Sequence, residues 1–223
     1  MRVIGITGGV GCGKTMLLQY IKEHYNCRIL LADDAAKRLQ EPGELCYERI
    51  VGLLGKEILQ EDGHICKARM AERIFADDAL LAAVNAVVHP ALRDHIVREI
   101  ETERRKGSID FFFLEAALLI ECGYETIVEE MWYIYAKEAV RRERLKAGRA
   151  YSDEKIDSIL RSQLPESVYR EHCRVVIDNS GEAEYAYEQI DRKMGEYLWK
   201  KERNIRENSY SGLTSGREVS SER

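Results

Sequence analysis

The six cysteines of this 223-residue chain (Cys12, Cys27, Cys46, Cys66, Cys122, Cys173) include no C-x-x-C pair, so the sequence signals neither a zinc site nor a disulfide framework, and the scattered thiols fit a reducing compartment. An apolar run of membrane-spanning length is also missing: the longest stretch, Phe111 to Ile120, is interrupted by Glu115. One basic and four apolar residues precede Thr7 and the glycines, too few for the h-region of a signal peptide, and a cytoplasmic location is predicted. Positive charge is not in excess. With 34 Lys and Arg against 39 Asp and Glu, the net charge is −5, which gives no general reason to expect nucleic acid or a membrane as partner but leaves room for a local basic pocket. No asparagine is followed by lysine, so the guanine-reading N-K-x-D of a GTPase switch is absent. Asp178-Asn179-Ser180-Gly181 fits D-x-x-G but follows the last predicted strand, out of order for a switch, and is read as a turn. There is no internal repeat. Hydrophobic residues at 45% and charged residues at 33% describe one soluble globular domain.

What the chain does have is Gly8-Gly9-Val10-Gly11-Cys12-Gly13-Lys14-Thr15, which fits G-x-x-x-x-G-K-[ST] and follows the strand-like Arg2-Val3-Ile4-Gly5-Ile6. Glycines let the backbone fold with its N–H groups turned inward, and the following helix adds the positive end of its dipole. Lys14 is placed to reach the β- and γ-phosphates of a nucleotide, and the Thr15 hydroxyl to hold Mg²⁺. The alternation of Gly9, Gly11 and Gly13 does not give G-x-G-x-x-G, which excludes a dinucleotide fingerprint. The bland alternative is a glycine-rich turn between a strand and a helix.

Helical spacing of Leu17, Leu18, Ile21 and Tyr25 predicts a helix from Lys14 to Tyr25, stopped at Asn26. Cys27 to Leu31 has strand length and ends at Ala32-Asp33-Asp34. Both acids are therefore candidates at the ligand edge of a parallel sheet, or N-caps of the next helix. Pro42-Gly43 marks a turn, and Glu44 to Ile100 reads as several helices broken at Asp62-Gly63 and at His89-Pro90. His89 is a candidate ligand or a helix-boundary residue, and Arg69, Arg73 and Arg93 in the same block read as solvated. A helical insertion of this kind suits a lobe that closes over a nucleotide. Ser108 to Leu114 is a compact strand running into Glu115, the shape of a Walker B strand with glutamate for aspartate, or simply a buried strand whose end reaches solvent. Met131 to Ala136 and Arg174 to Asp178 are the remaining strands. Between them lie the basic helix Lys137 to Ala147 (Arg141, Arg142, Arg144, Lys146, with Arg149 beyond Gly148) and helices at Asp153 to Gln163 and Glu166 to His172. A helix from Glu182 to about Trp199 closes the domain, and the polar 200–223 tail is expected to be poorly ordered. Five strands alternating with helices predict an α/β fold, a parallel five-stranded sheet in three layers.

These residues resemble the dephospho-coenzyme A kinase family from Arg2 to about Gly181. Ile6-Thr7-Gly8-Gly9-Val10-Gly11-Cys12-Gly13-Lys14-Thr15 is similar to its LTGGIGSGKS, and Asp34 with Arg38 and Pro42-Gly43 to its D-A-D-x-x-x-R-x-x-x-x-P-G. Arg73-Ile74-Phe75 with His89-Pro90, Leu118-Leu119-Ile120-Glu121, Arg144, Gln163 and Ile177-Asp178-Asn179-Ser180-Gly181 continue the series in order. The resemblance implies a P-loop kinase domain over 1–199, with an acceptor lobe at about 42–106 and a lid at about 137–165. It also implies transfer of the ATP γ-phosphoryl to the ribose 3′-hydroxyl of dephospho-coenzyme A, with Mg²⁺. On that pattern Asp34, Lys14 and Arg144 are catalytic. The nucleotide is held by Gly8, Gly9, Gly11, Cys12, Gly13, Lys14, Thr15, Met16 and Arg149, and the acceptor by Thr7, Arg38, His89, Leu118 and Glu121. The chain departs from the pattern at Ala32 (first acid), Ala117 (proline), Glu115 (aspartate), Gly148 (second lid arginine) and Cys173-Arg174. Two alternatives remain: a kinase of the same fold acting on another hydroxyl, and a nucleotide-binding regulator without turnover.

Overall fold

A computed structural model describes residues 1–214, with side chains as far as residue 203. Five strands, β1 (Arg2–Thr7), β2 (Cys27–Leu31), β3 (Phe111–Glu115), β4 (Glu130–Tyr135) and β5 (Val175–Asp178), form one sheet in the order β2-β3-β1-β4-β5 with every pairing parallel. Parallel strands bury both faces, so they read as apolar runs rather than alternations. In β3, Phe112 and Leu114 enter the core on one face while Phe111 and Phe113 enter the core on the other. On the second face lie α1 (Lys14–His24) and the last helix, α9 (Ala183–Thr214). The first face carries α2 (Ala32–Arg38), α3 (Tyr47–Leu54), α4 (Lys67–Phe75) and α5 (Asp78–Lys106). Between β4 and β5 the chain forms α6 (Glu138–Arg149), α7 (Asp153–Arg161) and α8 (Glu166–His172). The α/β architecture expected from the alternation of strands and helices is the one observed.

Three boundaries differ from the sequence reading. Helix α5 does not break at His89-Pro90 but runs through Pro90 for 29 residues. A mid-helix proline costs about 3 kcal/mol or more, whereas each fully buried Val, Leu or Ile contributes about 1.5–3 kcal/mol. Val84, Val87, Val88, Leu92, Ile96 and Ile100 are all buried along this helix. The carbonyl that Pro90 leaves without an N–H belongs to Ala86, which, like His89 and Pro90, is exposed to water. Helix α6 continues past Gly148 to Arg149 and is closed by Ala150 in the left-handed region at φ 52°. Helix α9 runs past Trp199 to Thr214, and the remainder of the predicted tail, 215–223, lies outside the described residues. The Asp62-Gly63 break is present, as a turn between the isolated bridge partners Leu59 and Ile65.

All five strands end on one edge of the sheet, at Thr7, Leu31, Glu115, Tyr135 and Asp178. In open parallel sheets that carboxyl edge is where ligands bind.

Candidate active site

The glycine-rich segment leaves β1 at Thr7 and enters α1 at Lys14, with positive φ at Gly8 (150°), Gly11 (84°) and Gly13 (88°). Helix α1 starts on Gly13 with no side chain capping it and no acid in its first turn. Its first N–H groups are therefore left for an anion to satisfy. Lys14 curls back over the loop, donating from Nζ to the Gly8 carbonyl at 2.7 Å, and lies 3.7 Å from Glu115 Oε1. Thr15 and Met16 face outward at the loop's rim. The Cys12 thiol is buried, and burial pushes its pKa up although Lys14 pulls it down, so it stays a neutral packing group.

Glu115 ends β3 beside Leu31 of β2, so three acids, Asp33, Asp34 and Glu115, gather at the ends of two neighbouring strands. Burial raises the Glu115 pKa above the usual carboxylate value, Lys14 opposes that rise, and the charges of Asp33 and Asp34 add to it. Asp34 sits in the first turn of α2 and is exposed, with Lys37 Nζ 2.7 Å from its Oδ1. That hydrogen bond holds its pKa low, helped by the charges of Arg38 and Lys67. Asp34 is thus ionised at neutral pH, with the cations of Lys37, Arg38 and Lys67 around it. A cavity of about 440 Å³ opens beside Thr15 and Glu115, between α1 (Leu18, Gln19, Lys22) and β2. A polar cavity of about 290 Å³ lies beyond Lys37, lined by Glu41, His64 and Lys67 among others.

From the opposite side, α6 closes on the loop. Arg144 Nη1 lies 3.5 Å from the Cys12 carbonyl. Arg141, a member of the basic helix that the sequence reading did not single out, donates from Nε to the Val10 carbonyl at 2.9 Å and from Nη2 to Gln163 Oε1. Asn179 at the end of β5 donates from Nδ2 to the Cys12 carbonyl at 2.8 Å. It belongs to a stretch read as a turn, and a turn it is, with Ser180 N bonded to Asp178 Oδ1 at 2.9 Å. The fold supplies the rest of the role.

Of the other predicted residues, Thr7 is 0% exposed, and its Oγ1 lacks a hydrogen-bond partner among the described residues. Leu118 (53% exposed) and Glu121 lie on the turns after β3 at the same carboxyl edge, and Arg38 ends α2. His89 is exposed on α5. Arg149 is not brought to the loop by any hydrogen bond or ion pair among the described residues; its guanidinium lies 5.9 Å over the Tyr151 ring. Helical geometry explains the split. Leu145 is the buried residue of α6, and with 3.6 residues per turn Arg141 and Arg144 fall on one flank of it while Arg142, Lys146 and Arg149 fall on the other. The second flank faces α7, where Arg142 pairs with Asp157 at 2.5 Å and Lys146 with Asp153 at 2.7 Å.

Comparison with known proteins adds matches to one family model, two relatives and two solved structures. Residues 2–184 match the sequence model of the family described as dephospho-CoA kinase. The dephospho-CoA kinase of Carboxydothermus hydrogenoformans is 32% identical over 198 residues, covering 89% of this chain and 95% of that protein. That of Aquifex aeolicus is 33% identical over 193 residues, covering 86% and 95%. Among solved structures, TT1252 from Thermus thermophilus superposes with a TM-score of 0.73 at 27% identity, covering 87% of this chain and 97% of that one. The dephospho-CoA kinase from Campylobacter jejuni shares the fold with a TM-score of 0.68 at 19% identity, covering 90% and 100%.

Proposed function

The chain belongs to the dephospho-CoA kinase family, and on that premise we propose that it phosphorylates the ribose 3′-hydroxyl of dephospho-coenzyme A with ATP, giving coenzyme A and ADP, and that it works in the cytoplasm. Among the described residues no helix is long and apolar enough to cross a membrane. The observation that supports this reading best is the meeting of two halves at one edge. A loop with uncapped helical N–H groups and Lys14 stands on the donor side, and an ionised Asp34 among Lys37, Arg38 and Lys67 stands on the acceptor side.

In the reaction the 3′-oxygen forms a bond to the γ-phosphorus as the bond from that phosphorus to the β,γ-bridging oxygen breaks. Asp34 receives or orients the hydroxyl proton. A carboxylate held ionised is a weak base, and a loose transition state chiefly needs the nucleophile held in line. Lys14 and Arg144 stabilise charge on the transferring group and the leaving oxygen, Lys14 exchanging the Gly8 carbonyl for phosphate oxygens. The Thr15 hydroxyl and the Glu115 carboxylate are hard oxygen donors that suit Mg²⁺ at this edge. When bound, that ion neutralises charge on the β- and γ-phosphates. Lys37, Arg38 and Lys67 suit an acceptor that carries its own diphosphate. The helices of about 42–106 form the acceptor lobe, α6 to α8 form the lid, and the exposed His89, Leu118 and Glu121 serve the acceptor side, whereas Thr7, expected there too, is fully buried and offers an acceptor no surface.

The test is direct. Purified protein with ATP and Mg²⁺ should convert dephospho-coenzyme A to coenzyme A with stoichiometric ADP, resolved chromatographically. Tight ATP binding without turnover on this acceptor would overturn the assignment.

A further inference from the structure

An anion-binding loop that turns its N–H groups inward turns its carbonyls outward, and each buried carbonyl needs a donor. In this chain Gly9 O is met by the Cys12 N–H, and three others are met by side chains. Gly8 O accepts from Lys14, Val10 O from Arg141, and Cys12 O from Asn179 at 2.8 Å and, at the longer 3.5 Å, from Arg144. Lys14 and Arg144 are both assigned to phosphate during the reaction, so Arg141 and Asn179 are the two side chains left to hold the loop throughout.

Both are fixed before they reach it. Asn179 is 0% exposed, and its backbone N–H bonds the Tyr135 carbonyl at the end of β4 at 2.8 Å. The neighbouring Asp178 is gripped through both its N–H and its carbonyl by Gln189 of α9, at 2.9 and 3.0 Å. The Asn179 amide packs so closely under the loop that a Cβ on Gly13, where φ is +88°, would meet its Nδ2 at 2.3 Å. Arg141 arrives from α6 with its fork divided between the loop and Gln163, in the connection between α7 and α8. A Cβ on Gly9 would meet its Nη2 at 2.4 Å. The two side chains therefore hold alternate carbonyls, Val10 and Cys12, one from the lid and one from the sheet.

We propose that Arg141 and Asn179 are positioning residues that clamp the outward carbonyls of the phosphate loop and thereby set its affinity for nucleotide phosphates, Arg141 linking the loop to the α7–α8 connection through Gln163. The proposal rests on the assignment of Gly8–Thr15 as the nucleotide loop. Lost loop order should appear as weaker nucleotide binding with the acceptor side intact.

The experiment is calorimetric titration with Mg²⁺-ADP, joined to steady-state kinetics, on the full chain and on Asn179→Ala, Arg141→Met and Arg141→Lys. Loss of one neutral hydrogen bond should raise the ADP Kd and the KM for ATP roughly tenfold in Asn179→Ala, and loss of the charged one by a few tens of fold in Arg141→Met. The KM for the acceptor should stay within about twofold in both, as no acceptor contact is removed. Arg141→Lys keeps the charge but not the planar fork, so it should recover only a small part of the loss. Should Asn179→Ala not fold, Arg141→Met and Arg141→Lys, on the half-buried face of α6, decide the matter alone. Folded variants with the parental ADP Kd would overturn the clamp, as would an equal rise in both KM values. Full recovery in Arg141→Lys would overturn it too, because charge rather than loop geometry would then be what Arg141 supplies. Failure of the parental chain itself to bind Mg²⁺-ADP would instead refute the nucleotide-loop assignment.

Discussion

Replacing Gly8 with alanine would set a methyl carbon 2.4 Å from the main-chain oxygen of Ile134 and 3.0 Å from Cys12 Sγ, on a backbone at φ +150°. An ordinary carbon–oxygen contact needs about 3.3–3.6 Å, so roughly 1 Å must be found. The oxygen cannot supply it. Ile134 is fully buried in β4, and the register that pairs Ile6 with Trp132 and Thr7 with Tyr133 fixes that strand against β1. The loop must therefore move, away from the position that Arg141 and Asn179 hold. Strain at such a φ costs about 1–3 kcal/mol, which for a domain of this size lowers Tm by roughly 3–10 °C. Misplacing a reacting group by about 1 Å costs on the order of 100-fold in rate. The expected result for Gly8→Ala is thus a modest loss of Tm by scanning calorimetry with a disproportionate loss, about 100-fold, in kcat/KM for ATP. The matched control is Gly195→Ala in α9, where an added Cβ meets nothing within 4 Å. Relief of helix-interior glycine should stabilise that variant by about 0.5–1 kcal/mol, a gain of roughly 2 °C, with kcat/KM unchanged. A Gly8→Ala enzyme with parental Tm and kcat/KM within about threefold would refute the close-approach reasoning, as would equal damage from the control.

Asp34→Asn should lower kcat about 100-fold with Mg²⁺-ADP affinity nearly kept; equal loss of both would place Asp34 in nucleotide binding or folding. Because Lys37 holds the Asp34 pKa below the ordinary 3.8, no acid limb of the kcat profile above that pH should vanish in Asp34→Asn, and one that did would contradict the ion pair. Glu115 behaves with the opposite sign. Burial raises its pKa above the ordinary 4.5, so the folded state binds its proton more readily than the unfolded chain. The associated stability is present below pH 4.5 and lost as pH rises through the higher folded value. Glu115→Gln should therefore melt higher than the parent at pH 7 in EDTA, with the gain vanishing on acidification through pH 4.5, while kcat falls. A gain that persists or grows at low pH would show the sign to be wrong.

The glycine-rich loop was legible because its geometry is local. Gly8 to Thr15 are contiguous, their spacing encodes the turn and the helix start, and the strand before them announces itself as an apolar run. The same holds for Glu115, the last residue of β3, and for Asp34, in the first turn of the helix that directly follows β2; composition alone identifies both strands. The His89-Pro90 break failed for the complementary reason. A proline acts on one turn, whereas α5 is held by side chains spread over 29 residues against three other helices, and packing summed over that length outweighs the local penalty.

The outward side of the loop was hidden for a different physical reason. The bond from Asn179 to Cys12 spans 167 positions and that from Arg141 to Val10 spans 131. No window of sequence contains both partners, and an asparagine after a strand looks the same whether it closes a turn or supports a loop. For Arg141 a signal was present. Leu145 is the one strongly apolar residue in the basic run from Arg141 to Arg149, so it marks the inward stripe of α6, and the helical period then separates Arg141 and Arg144 from Arg142, Lys146 and Arg149. The cations that reach the loop share a flank, because one helix cannot direct opposite flanks at one loop. On that geometry Arg149 lies on the flank away from Gly148, with Arg142 and Lys146, and the cations of α6 that reach the loop are Arg141 and Arg144.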